Sequence, residues 1–229
     1  MATKNRGAAR KVRLTFTEEV LGSSNNDPEV FDNFMRKRMV AEMVKSGMSE
    51  EEAQVRVTEE MGDHEFDGDE KRTVFPKLED GTPFIYNYQI KGAFKDAASA
   101  LRRVPNSETH GYTETVNGKK VEHKGMAAFK KEIDGTIFVN ERRIPYQMPE
   151  GSVIGNCQRP LRASTPQGER VCLASSETVP AGTVIEFTVT SLNKANWRFI
   201  EEWLNYLQLR GIGQWRNSGK GSCTWEYVD

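Results

Sequence analysis

The stretch from Gly211 to Gly221 constrains this chain most, because four glycines, Gly211, Gly213, Gly219 and Gly221, enclose Trp215, Arg216 and Lys220. Glycine admits positive φ and close backbone approach. Such a loop can aim amides at an anion while its cations neutralise charge and its indole offers a stacking face. Two nucleotide-binding motifs fail on spacing. A Walker loop places four residues between its first glycine and Gly-Lys, then Ser or Thr, whereas five residues separate Gly213 from Gly219 and Gly221 follows Lys220. The dinucleotide fingerprint would need its third glycine where Arg216 stands. Eight residues follow Gly221, so the expected continuation is a closing strand over 222–228, not a phosphate-holding helix. A plain hairpin with a glycine-rich turn is the competing reading.

Upstream, Val12, Leu14 and Phe16 alternate with Arg13, Thr15 and Thr17, the period of a half-buried strand that follows a basic arm over 1–11. Asp27 before Pro28 reads as an N-cap opening a helix to about residue 47, and Ser49 with Glu52 as a capping box for a second helix to about Met61. An irregular acidic connection and a short strand from Phe84 lead to a helix over about 89–103, with Phe94, Ala97, Ala98 and Leu101 on one face and Gly92 allowing close packing or ligand approach at its start. Asn117-Gly118 between two polar strands is a strong two-residue hairpin signal, so a solvent-projecting hairpin is expected over about 110–124. Strands follow near 136–143, 153–161, 170–174 and 183–192, then a helix over about 194–209 in which Trp197, Ile200, Trp203, Leu204 and Leu207 read as core anchors. The order is mixed α+β.

A hydrophobic content of 37% over 229 residues suffices for a packed core, and the expectation is one domain, 1–229, with a helical acidic insertion over about 27–70. No run approaches a membrane span and the first residues lack an apolar signal region, so a cytoplasmic protein is expected, with no membrane partner. Cys157, Cys172 and Cys223 are an odd, widely spaced set, read as reduced thiols. Net charge is −1, but residues 49–70 hold ten acids against Arg56 alone, which leaves the remainder at +8 and compatible with a polyanion partner.

Two segments together resemble the RAMP superfamily, the repeat-associated proteins that form the RNA-binding backbone of CRISPR effector complexes. Ile90-Lys-Gly-Ala-Phe-Lys-Asp-Ala-Ala-Ser-Ala-Leu-Arg is similar to that family's Ile-Pro-Gly-Ser-Ser-Leu-Lys-Gly before a helix ending in Arg, with Lys91 in place of the proline; Leu209–Gly213 through Gly219–Gly221 is similar to its C-terminal glycine-rich loop. The opening strand from Arg13 also suits the family. Further resemblance, to uncharacterised proteins encoded by bacterial phages and prophages, points to a divergent member. The resemblance implies a ferredoxin-like (RRM-like) core with an antiparallel sheet, a helical insertion and a protruding β-hairpin. It also implies single-stranded RNA as partner, in preference to DNA, with self-association along the strand or a place in a larger ribonucleoprotein.

The candidate nucleic-acid contacts are Lys91, Lys95, Arg142, Arg143, Arg159, Arg162, Trp215, Arg216 and Lys220, with Gly92, Gly211, Gly213, Gly219 and Gly221 as backbone positions. Arginine suits forked phosphate contacts and base stacking, and Arg170 lies in the same β-rich middle; solvated strand edges are the plainer reading. Metal sites find no support: the acidic loop from Asp63 has Gly68 at the turn position of an EF-hand but Val74 where the bidentate glutamate belongs, and no paired His or Cys spacing occurs. No cofactor is expected. Catalytic candidates are weak. His110 and His123 flank the hairpin, and Asp27 is the nearest match to the loop aspartate of RNA-cutting RAMP proteins, so a metal-independent endoribonuclease is one rival and no catalytic residue is assigned. The other rival is a phage-encoded interaction or inhibitor protein acting through acidic residues 49–70.

Overall fold

A computed structural model of the chain describes residues 8–25, 39–41, 43–44, 48–53, 56, 72–165 and 168–228. In chain order the strands are β1 (Ala8–Phe16), β2 (Val20–Leu21), β3 (Ser24–Asn25), β4 (Arg72–Val74), β5 (Phe84–Tyr86), β6 (Gly111–Val116), β7 (Lys119–Lys124), β8 (Ile137–Val139), β9 (Arg143–Pro145), β10 (Gly155–Thr165), β11 (Gly168–Val179), β12 (Val184–Ser191) and β13 (Cys223–Val228). Three helices are interleaved, α1 (Asn87–Leu101), α2 (Phe129–Thr136) and α3 (Trp197–Arg210). The chain divides into two compact units. One comprises Met1–Leu21, Pro76–Gly155 and Thr178–Asp229, the other Gly22–Phe75 and Asn156–Glu177.

The larger unit is built on a four-stranded antiparallel sheet in the order β13-β1-β12-β8. With α1 between β1 and β8 and α3 between β12 and β13, this is the βαββαβ path of a ferredoxin-like core. Alternation decides which face is covered. Val12, Leu14 and Phe16 of β1 and Ile185, Phe187 and Val189 of β12 are buried, and so are Ile90, Phe94, Ala97 and Ala98 of α1 and Ile200, Trp203, Leu204 and Leu207 of α3. The opposite face is polar. There Arg13 lies between its register partners Glu186 and Glu226, at 2.7 and 2.9 Å.

The strand expected over 136–143 is broken. Its first residue closes α2, a helix that sequence reasoning missed, and β8 spans only three residues before the chain leaves the sheet to pair β9 with β5. Glu141 completes the ladder in place of backbone, since its carboxylate accepts from Thr188 N at 2.6 Å and Thr188 Oγ1 at 2.7 Å. The β6–β7 hairpin forms at Asn117-Gly118, both at positive φ as a tight two-residue turn requires. Its base is fixed to α3. Glu202 accepts from Glu108 N and Thr109 N at 2.7 and 2.9 Å, and buried Trp203 donates Nε1–H to Thr109 Oγ1 at 2.9 Å.

In the smaller unit β10, β11, β4 and β3 are neighbours in that order, and β11 runs parallel to β4. Buried Glu177 accepts from Phe75 N at 3.0 Å and lies 3.9 Å from Arg72 Nη2. Gly22 is required there, because a Cβ would sit 2.6 Å from the Val74 carbonyl carbon. The expected capping box is present, with Glu52 N donating to Ser49 Oγ at 3.3 Å and Ser49 N to Glu52 Oε2 at 3.4 Å. The N-cap at Asp27, His64 and the acidic loop from Asp63 to Glu70 lie outside the described residues. Cys157 and Cys223 are free thiols. No helix among the described residues is long and apolar enough to cross a membrane.

Trp203 joins the core to the hairpin base, so Trp203→Ala is expected to cost about 3–5 kcal/mol. Urea unfolding followed by circular dichroism checks this, and Trp203→Phe, which keeps most of the packing and loses the Thr109 bond, should cost markedly less.

Candidate nucleic-acid interface

The glycine-rich loop begins where α3 ends. Gly211 takes φ 74° and its N–H returns to Leu207 O at 2.8 Å, which terminates the helix. Ile212 N then donates to Gly221 O at 3.0 Å, and Gly221 N to Glu19 O at 2.9 Å, so the neck of the loop is clamped onto the turn after β1. A Cβ at Gly221 would fall 1.8 Å from Ile212 O, and one at Gly211 2.6 Å from Lys220 O. These two glycines close the neck. Gly213 approaches Leu21 O, at 3.2 Å from a would-be Cβ, whereas Gly219 faces open space and is required only for its φ of 86°. The amides of Gly211, Ile212, Ser218, Gly219, Gly221 and Ser222 all donate to protein carbonyls, so these six are not aimed at a ligand.

At the loop's apex Trp215 is held at φ 55°, ψ 32°, a left-handed conformation that is costly for a bulky residue. Its carbonyl accepts from Ser218 N and Ser218 Oγ at 3.0 and 2.9 Å, and the residue is 40% exposed. Arg216 opens a short 3-10 turn and reaches across to α1, where its Nη1 lies 2.8 Å from Asp96 Oδ2. Arg210 approaches the same oxygen at 3.5 Å and donates to Asn217 Oδ1 at 2.6 Å. Lys220 turns to the neck, 2.7 Å from Glu19 and 3.6 Å from Glu18. The hydrogen bond it donates to Glu19 holds its ammonium above the ordinary lysine range.

Asp96 thus ties the loop to α1, the two segments that carried the sequence argument. The remaining candidates divide. Lys91 and Lys95 lie on the α2 side of α1 and approach Asp134 at 3.9 and 2.6 Å, with Lys91 also 5.4 Å from the Phe138 ring centroid. Arg142 and Arg143 are exposed beside the start of α1, where Asn87 N donates to Arg142 O, and the Arg143 guanidinium sits 5.7 Å from the Phe84 ring. Arg159 and Arg162 belong to β10 in the smaller unit, and the side chains of Arg162 and Arg170 lie outside the described residues. Gly92 packs against nothing, since a Cβ there would meet no atom within 4 Å.

Sequence reasoning missed the carboxylates. Asp96, Glu18, Glu19 and Asp134 each face a cation chosen for phosphate contact, and Glu18-Glu19 directly after β1 was the one signal available for them. Such exposed pairs are each worth up to about 1 kcal/mol and exchange readily for another anion. Among the rivals' residues, His123 stacks on Tyr112 at 4.5 Å and bonds Glu114 at 2.8 Å instead of facing His110, whose Nδ1 lies 2.8 Å from Gly111 O. Of acidic residues 49–70, only 49–53 and 56 are described. No group of three or more His, Cys, Asp or Glu able to hold a metal ion occurs among the described residues.

No protein-family model matches the sequence, and no curated protein does. Solved structures do. A chain of the Type III-B Cmr-beta complex, determined by cryo-EM bound to cognate target RNA, matches 98% of this chain with TM-score 0.50 and 10% identity; this chain spans 60% of its length. A chain of a Type IV-B CRISPR complex matches 96% of this chain and 90% of its own length, with TM-score 0.43 and 11% identity. The first likeness agrees with the ferredoxin-like core read from the sheet order.

The glycine roles are separable by substitution. Gly219→Ala should cost only the left-handed penalty of about 1–2 kcal/mol, while Gly221→Ala must also displace backbone and should cost more. Gly92→Ala should stabilise by about 0.5–1 kcal/mol. Chemical denaturation of the three variants gives the ranking.

Proposed function

We propose that this chain is a non-catalytic protein that binds single-stranded nucleic acid, RNA in preference to DNA, and does so as a backbone-type subunit that self-associates or joins a larger ribonucleoprotein. The observation that carries the reading is Trp215, a half-exposed indole kept in a strained conformation by a loop clamped at both ends and tied to α1. Backbone strain of this kind persists where the surroundings impose it and clusters at ligand-binding sites. Supporting it, the fold is shared with a chain from a complex described as bound to target RNA.

Binding then works by ion exchange. A base stacks on Trp215, and phosphates take the places of Asp96 on Arg216 and of Glu19 on Lys220. Each exchange trades one weak surface pair for another, so the gain comes from counterion release and stacking, with little base preference. Trp215→Ala should lose about 1–3 kcal/mol of affinity for single-stranded RNA. Arg216→Ala with Lys220→Ala should flatten the slope of log K against log salt by about 0.7 for each cation taken away. Fluorescence anisotropy with labelled RNA and DNA at several salt concentrations measures both, and unchanged affinity in both variants would remove the loop from the site.

A further inference from the structure

Of the cations selected by sequence motif, Lys91, Lys95, Arg216 and Lys220 each face a carboxylate, but another set of cations does not. Arg102 and Arg103 at the end of α1, Lys130 and Lys131 in the first turn of α2, and Lys124 at the base of the hairpin are exposed, and none has a carboxylate partner among the described residues. Two carboxylates of the neighbouring segments are taken by other groups. Asp134 lies 2.6 Å from Lys95, and Glu108 accepts from Arg198 at 3.0 Å and from Tyr112 Oη at 2.9 Å.

These five residues sit on one connected piece of structure. The Arg102 guanidinium lies 5.8 Å from the ring of Phe129, the residue before Lys130, so it is ordered by an aromatic face and keeps its hydrogen-bond donors for another partner. Ser107 Oγ donates to Leu101 O at 2.8 Å, Met126 N donates to Thr109 O at 3.0 Å, and Arg198 Nη2 donates to Lys124 O. These bonds tie the end of α1 and the base of the hairpin to the turn between them and to α3, and the Arg102–Phe129 contact brings the start of α2 to the end of α1. Helix α2, which supplies two of the cations, is the element the sequence did not reveal.

We propose that this patch is a docking surface for the phosphate backbone of a single strand, and that it supplies more of the electrostatic affinity than the glycine-rich loop. The proposal rests on the nucleic-acid reading above. At Arg216 and Lys220 an incoming phosphate must displace a carboxylate, whereas here it meets cations neutralised only by solvent ions, so every phosphate bound releases counterions without breaking a protein ion pair.

The test uses the full chain with Arg102→Gln, Arg103→Gln, Lys130→Gln and Lys131→Gln together, and with each pair alone in case the fourfold variant unfolds. Affinity for a labelled single-stranded RNA of mixed sequence is measured across a salt series beside wild type and the Arg216→Ala, Lys220→Ala variant, with thermal unfolding and sedimentation velocity on each. The expected result is an affinity loss on the order of 10-fold or more at low salt, and a salt slope shallower by about 0.7 per cation removed. If wild type binds and the patch variants keep its affinity and slope, the patch is wrong while the functional reading stands. If they keep both but change in sedimentation, the surface binds a second copy of the chain and the proposal is equally overturned. Failure of wild type to bind RNA or DNA at any salt concentration overturns the functional reading and the patch with it.

Discussion

Strand β1 is paired along both edges, to β12 and to β13, and the arrangement of the larger unit depends on that double pairing. Its two-residue period gives Val12, Leu14 and Phe16 to the helices and Arg13 to the other face, and both neighbours must adopt the register that continues the division. A slip of one residue would bury Arg13 and expose three apolar side chains. The turn leaving β1 supplies Glu18 and Glu19, and the carbonyl of Glu19 clamps the glycine-rich loop, so the loop's shape is inherited from the sheet.

Charge in this molecule is organised by pairing. On the open sheet face Arg13 and Lys11 share Glu186, whose carboxyl is held below the usual range by those two hydrogen bonds. Beside the loop, Asp96 of α1 receives Arg210 of α3 and Arg216 together. A surface with internal counter-charges holds polyanions less tightly than its count of Lys and Arg suggests, because each new ion pair costs an old one. Near-neutral net charge thus hides two kinds of surface, one compensated and one not, and the end of α1, the start of α2 and the hairpin carry cations of the second kind.

What was legible in the sequence was local. The alternation in β1, the Asn117-Gly118 turn, the Ser49–Glu52 cap and the helical spacing of Trp197 to Leu207 each depend on residues a few positions apart. Helix α2 escaped because it has eight residues, buries only Phe129 and Ile133 and contains Gly135, so its apolar period is too short to register. The break after Val139 depends on Glu141 replacing backbone at Thr188, 47 residues away. Site chemistry was the least legible part. Arg216 meets Asp96 across 120 positions, and no spacing rule pairs two such residues, so the loop looked like free cations on a flexible backbone when both its ends are fixed.

The neck of the loop joins parts of the chain that are about as far apart as its length permits. Thr17 N donates to Ser222 O and Gly221 N to Glu19 O, each bond closing some 200 residues. Contacts of such separation are slow to form, and β13 is an edge strand held by β1 alone within its sheet. The bonds that hold the neck of the loop thus lie at the entrance to β13. On the proposed function, a nucleic acid bound at the Trp215 surface would favour the folded neck by mass action and slow amide exchange along Cys223–Val228, so β13 would report occupancy without touching the ligand.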